Sequence, residues 1–136
     1  MNQEEILNTY GKDVIEALSP IVKWQYDDFH KALLAEFSVD KETQAKRALR
    51  HVLPRSWDAK TIKKAPIEIK HLAGSFCKLV KEQQLLSVEP EKNPRVMAVW
   101  WPWGHGATIS VRIFLVNASP YEQKKGFLHK LKHMFN

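Results

Sequence analysis

The sequence predicts an α+β fold: a mostly helical domain with one antiparallel β-hairpin and a C-terminal helix. Three observations predict it. Apolar residues recur at helical spacing over 2–18, 20–37, 41–53 and 66–86. The stretch 95–117 holds two apolar runs joined by Gly104-His105-Gly106. Ser-Pro steps and isolated prolines separate the segments. The 136 residues fit one domain, 1–136, and 44% apolar content suffices for a core.

The first helix, 2–18, opens on Asn2 with Glu5 three residues on, the pattern of a capping box. Ile6, Leu7, Tyr10, Val14, Ile15 and Leu18 form its stripe, and Gly11 is its weak point. Ser19-Pro20 is read as the cap and first residue of a second helix, 20–37, carrying Ile21, Trp24, Phe29, Leu33 and Phe37. A third, 41–53, is capped by Ser38 or Asp40 and turns Ala45, Ala48, Leu49 and Val52 inward. Residues 54–66 form a basic connector. The longest helix, 66–86, then buries Ile69, Leu72, Ala73, Phe76, Leu79, Val80 and Gln83, with Gly74 at a close helix crossing. Residues 87–94 are a turn-rich loop, and Ser119-Pro120 launches a final helix, 120–135.

In the hairpin, Gly104-His105 suits a two-residue type II′ loop. That loop pairs Trp103 with Gly106, Trp101 with Thr108, Val99 with Ser110 and Met97 with Arg112. Val96, Ala98 and Trp100 then share an apolar face with Ile109, Val111 and Ile113. Trp100 belongs to the core, whereas Trp101 and Trp103, beside Pro102 and Gly104, are candidates for exposure. Pro102 cannot donate to a ladder and marks an edge at the tip of its strand.

Charge is segregated along the chain. Residues 1–40 carry −5, residues 41–71 carry +6 and residues 72–136 carry +5. The excess either meets an anionic partner or neutralises the acidic N-terminal helices within the fold. On helix 41–53, Lys46, Arg47, Arg50 and His51 lie away from the apolar side, and Arg55, Lys60, Lys63 and Lys64 extend the charge. Such a cluster can neutralise phosphates and release counterions. Trp57, Trp101 and Trp103, with Arg112, are candidates for base stacking or for anchoring a protein partner.

Catalytic motifs are missing. There is no phosphate-cradling glycine loop and no nucleophile elbow. Asp27 and Asp28, read on a helix, diverge by about 100° and cannot act on one atom. His105 in the tip is read as a turn residue. His129 and His133 stand at i and i+4, but no Glu follows His129, and Lys130 and Lys132 repel a cation. The expectation is a non-enzyme without metal or cofactor. The N-terminus lacks the pattern of a secretory signal, and the single Cys77 fits a reducing, cytoplasmic setting. No apolar run reaches the ~20 residues of a membrane span.

Helices followed by a hairpin resemble a winged helix in element order, although the 13-residue connector exceeds the tight turn of such helical pairs. Thr43-Gln44, Ala48-Leu49-Arg50 and Ser56-Trp57 resemble, over about thirty residues, a fragment of the FinO/ProQ-type RNA-chaperone domain. The glycine- and arginine-rich end of that domain is absent here. The fragment favours RNA over DNA without placing the chain in the family. The functional expectation is therefore a nucleic-acid-binding protein, a small regulatory or mobile-element factor. The alternative is a protein-interaction accessory factor using the tryptophan hairpin or the basic amphipathic C-terminal helix, whose stripe is Phe127, Leu128, Leu131, Met134 and Phe135.

Overall fold

A computed structural model describes residues 2–117. The expected helix 120–135, with His129 and His133, lies outside them. The described chain is built on a six-stranded antiparallel sheet in the order β1-β2-β6-β5-β4-β3. Its strands are β1 Trp24–Asp27, β2 Ala32–Ser38, β3 Arg55–Asp58, β4 Gln84–Ser87, β5 Val96–Pro102 and β6 Thr108–Leu115. Four α-helices accompany them: α1 Gln3–Tyr10, α2 Lys12–Leu18, α3 Glu42–Val52 and α4 Ile67–Ala73. This corrects the mostly helical, single-hairpin expectation and the winged-helix likeness with it.

The helix expected over 20–37 is a strand hairpin. The apolar run Ala32-Leu33-Leu34-Ala35 is buried throughout, as in a strand covered on both faces. Periodicity alone cannot separate such a run from a buried helix. The decisive signal is the turn before it. Asp27 Oδ1 accepts the N–H of Phe29 (3.1 Å) and of His30 (3.3 Å), and Lys31 takes φ 52°. An Asx turn of this kind reverses the chain. Phe29, placed on the expected helix's apolar stripe, stands 88% exposed at the turn.

The helix expected over 66–86 stops at Ala73. Gly74 has φ 58° and ψ −129°, a region essentially closed to other residues. A Cβ there would lie 2.7 Å from Asn117 Nδ2. The glycine therefore ends the helix under a close approach from the chain after β6, and no helix crossing is involved. Leu85 and Leu86 then alternate across the sheet in β4, both fully buried. The connector 54–66 holds β3 and a 3-10 turn, Thr61–Lys64.

Other expectations hold in part. Asn2 caps α1 through Glu5 N–H (2.9 Å). The first helix is broken at Gly11 into α1 and α2. A Cβ at Gly11 would meet Leu7 O at 2.8 Å and Ile113 Cγ2 at 3.4 Å, so the break lets the chain lie close on the sheet. The helix expected over 41–53 forms as α3, with Ala45 and Leu49 fully buried.

The β5–β6 hairpin forms with its register displaced by two residues. Trp101 pairs with Ser110, Val99 with Arg112 and Met97 with Phe114. An even displacement preserves the faces, so Val96, Ala98 and Trp100 keep Ile109, Val111 and Ile113 as companions in one core. The tip is a longer loop than the expected two-residue turn. Gly106, at φ 80°, donates to Trp103 O (3.0 Å), and Trp103 N–H donates to Thr108 O (2.9 Å).

Two cores sandwich the sheet. On one face α1, α2 and α3 bury Leu7, Val14, Leu18, Ala45 and Leu49 against Phe37, Trp100 and Val111. On the other, α4 and the 3-10 turn bury Ile62, Ile69 and Leu72 against Trp57, Leu85, Met97 and Val99. Cys77 is half-buried beside this second core. Among the described residues no helix is long and apolar enough to cross a membrane.

Candidate nucleic-acid interface at the hairpin tip

Strand alternation sends the three tip tryptophans to opposite sides. Trp100 is 1% exposed and meets Phe37 edge-on, with ring centroids 5.8 Å apart. Trp101 and Trp103 point to the other face and are 39% and 40% exposed. They stay open because β4 pairs with β5 only from Ala98 to Trp100, so the strand end runs free past it. Pro102, which has no N–H to offer a neighbour, sits in that free part. The strand is internal for most of its length and an edge at its tip, where the proline falls.

Lys46 of α3 reaches this end of the sheet, its Nζ 5.2 Å from the centroid of the Trp100 ring. A cleft of 720 Å³ opens beside it, lined among others by Glu42, Lys46, Lys81, Gln83, Trp101 and Trp103. Val39 and Val80, 37% and 62% exposed, add apolar surface to its rim. Gln84 also lines the cleft, and its side-chain Oε1 is buried with no hydrogen-bond partner among the described residues. A buried orphan acceptor is uncommon in folded proteins.

The sheet divides the expected basic residues into two groups. Arg47, Arg50 and His51 are exposed on α3, where they border a shallow groove with Ala17 of α2. Lys46 links that group to the tip. Arg55, Lys60, Lys63 and Lys64 belong to β3 and the 3-10 turn beyond it, whose apolar residues pack on the opposite sheet face. Asp58 organises that turn by accepting the N–H of Lys60 (2.9 Å) and Thr61 (2.8 Å). The backbone donors hold its carboxyl below the usual range. Trp57 is buried under Arg55, whose guanidinium lies 5.7 Å from the ring, so its faces are closed to a ligand.

Arg112 has a different setting from the one its sequence position suggests. Its guanidinium lies 5.3 Å from the Trp101 ring and its Nε donates to Asp27 Oδ2 at 3.5 Å. The same carboxylate oxygen takes His30 Nδ1 at 2.7 Å. Partial burial works to raise the pKa of Asp27, but the hydrogen bonds and charge of His30 and Arg112 outweigh it and hold the carboxyl below its ordinary value. A chain of contacts therefore runs from Trp101 through Arg112 and Asp27 to His30. Sequence reasoning missed His30, Lys81 and Gln83. Their only signal was the Asp-Asp turn and the break after Gly74, which move them from helix faces to the sheet end.

His105 Nδ1 accepts the Ala107 N–H at 3.0 Å, which agrees with its reading as a turn residue. Among the described residues no group of three or more His, Cys, Asp or Glu is placed to hold a metal ion. In comparisons with known proteins, no family model, no curated protein and no solved structure matches the chain.

Proposed function

We propose that this protein binds single-stranded nucleic acid across the hairpin end of its sheet. The observation that carries the reading is the shared cleft: Lys46 from the basic helix and the exposed rings of Trp101 and Trp103 line one concavity. Exposed aromatics beside cations suit bases that stack and phosphates that need neutralising. Arg47 and Arg50 continue the cationic track along α3 away from the cleft. The protein acts as a non-catalytic, cytoplasmic factor, a setting in which the free Cys77 stays reduced.

The test is titration of a labelled single-stranded oligonucleotide at low salt. Binding should quench tryptophan fluorescence and weaken when Trp101 or Trp103 becomes Ala. Binding with no change in tryptophan emission would remove the tip from the interface.

A second reading has its own observation. Val39 and Val80 make the rim of the cleft apolar, as the centre of a protein interface is. A protein partner would then be lost with Val80→Asp, whereas oligonucleotide binding would be nearly unchanged.

A further inference from the structure

A smaller pocket adjoins the cleft, with a volume of 180 Å³. Trp101 and Gln83 line both, so the two concavities share a wall. Val99 belongs to the sheet beneath it, Phe76 and Leu79 come from the segment after α4, and His30 comes from the β1–β2 turn. The volume is below the ~300–1,000 Å³ of drug-sized sites, and it suits a group about the size of one ring system.

The polar groups of the pocket are set by their other bonds. Gln83 is 4% exposed, and its Oε1 accepts the Val80 N–H at 2.9 Å. That bond fixes the amide orientation and leaves the NH2 as a donor. The Asp27 carboxylate can only accept, so the 2.7 Å contact places a hydrogen on His30 Nδ1. Nε2 is then the ring nitrogen left to meet a ligand. Lys78 adds a cationic donor at the rim. A donor amide, a free imidazole nitrogen and apolar walls beside an indole match a planar ring with a polar edge.

We infer that this pocket takes one unstacked nucleobase of the strand whose neighbours lie along Trp101 and Trp103, an inference that rests on the nucleic-acid reading above. Enclosing a base between apolar or aromatic side chains while reading its edge by hydrogen bonds is the general solution for an extruded base. The chain Trp101–Arg112–Asp27–His30 supplies the rigidity: Arg112 lies by the indole and, through Asp27, orients the imidazole.

The experiment uses the full chain, isotopically labelled, titrated separately with the four nucleoside monophosphates and with a single-stranded oligonucleotide. The expected result is saturable shifts at the Gln83 side-chain NH2, the Trp101 indole N–H and Val99. His30→Ala combined with Lys78→Ala, both at exposed positions, should weaken mononucleotide binding at least tenfold. The same variant should lower oligonucleotide affinity only a few-fold. Shifts confined to Lys46 and Trp103 would overturn the pocket and leave the cleft as the nucleic-acid site. Saturable binding of benzoate or acetate at Gln83, with no nucleotide effect, would assign the pocket to small carboxylates and overturn the inference. Failure of both nucleotide and oligonucleotide to bind would remove the pocket and the proposed function together.

Discussion

The two faces of the sheet are finished differently. Under α1, α2 and α3 the central sheet residues Leu33, Ala35, Phe37, Ala98, Trp100, Val111 and Ile113 are buried, and Trp24, Tyr26 and Leu115 are partly buried beside them. The opposite face is closed only where α4 and its flanking turns lie on Trp57, Leu85, Met97 and Val99. Toward β1 it presents Gln25, Glu36 and Trp101 as exposed residues, with Asp27 and Arg112 partly buried among them. The cause is geometric. Six strands spaced about 4.8 Å apart span about 24 Å, and a helix is about 10 Å across. Three α-helices lie across that width on one face, whereas α4 is the single α-helix on the other among the described residues. The closed face supplies stability, and the half-open face leaves side chains free to meet a ligand.

The largest effect expected from this contrast is on folding. Trp100→Ala should destabilise by about 3–5 kcal/mol, the usual cost of deleting a buried aromatic. Leu85→Ala on the second core should cost about 2–5 kcal/mol. Urea unfolding reads both. A loss below about 1 kcal/mol at Trp100 would mean that the closed face is not the core described, since only surface substitutions are so mild.

The next effect separates adjacent residues of one strand. Trp101→Ala should change stability by only about 0.5 kcal/mol, as a partly exposed ring. It should nevertheless weaken oligonucleotide binding by about tenfold, because one base stacked on an aromatic is worth about 1–3 kcal/mol. Iodide quenching of single-tryptophan variants should reach Trp101 and Trp103 and spare Trp100. Equal quenching of Trp100 and Trp101 would erase the distinction between the faces.

The same residues show what a reader of the sequence can recover. Burial of Trp100 and exposure of Trp101 followed from alternation, and they survived a two-residue error in register because strand faces repeat every two residues. The basic face of α3 was equally legible, since its apolar positions recur with helical period. The strands of 24–38 and 84–87 were not. Ala32–Ala35 and Leu85-Leu86 are short runs buried on both sides, with no alternation to mark them as strands. Their evidence lies in Asp27 and Gly74, turn-makers that fall inside stretches of helical periodicity. Missing them hid the pocket behind Trp101, because His30 and Gln83 reach it only through those turns. The separation of Lys60, Lys63 and Lys64 from α3 was also out of reach, because it depends on which sheet face each element covers.

A smaller effect concerns acid. Asp27 has a folded pKa below its ordinary value, which is about 3.9 in model peptides. Ionised Asp27 therefore stabilises the fold fully above that ordinary value, and the contribution disappears as pH falls through the lower folded one. Asp27→Asn should flatten the acid limb of the stability curve below about pH 4 and leave it parallel to the wild type above. An unchanged acid limb would show that the bonds to His30 and Arg112 do not form in solution.

The proposed function requires the cationic side of α3 and the tip tryptophans to serve one ligand. Its most direct test is the salt dependence of single-strand affinity for the wild type, for Arg47→Ala with Arg50→Ala, and for Trp101→Ala. Each phosphate neutralised on a single strand contributes about −0.7 to the slope of log affinity against log salt, so the arginine variant should be shallower by about 1.4. Trp101→Ala should lose affinity at every salt concentration with its slope unchanged. Affinity that ignores salt in the wild type, or an arginine variant with the wild-type slope, would contradict the account.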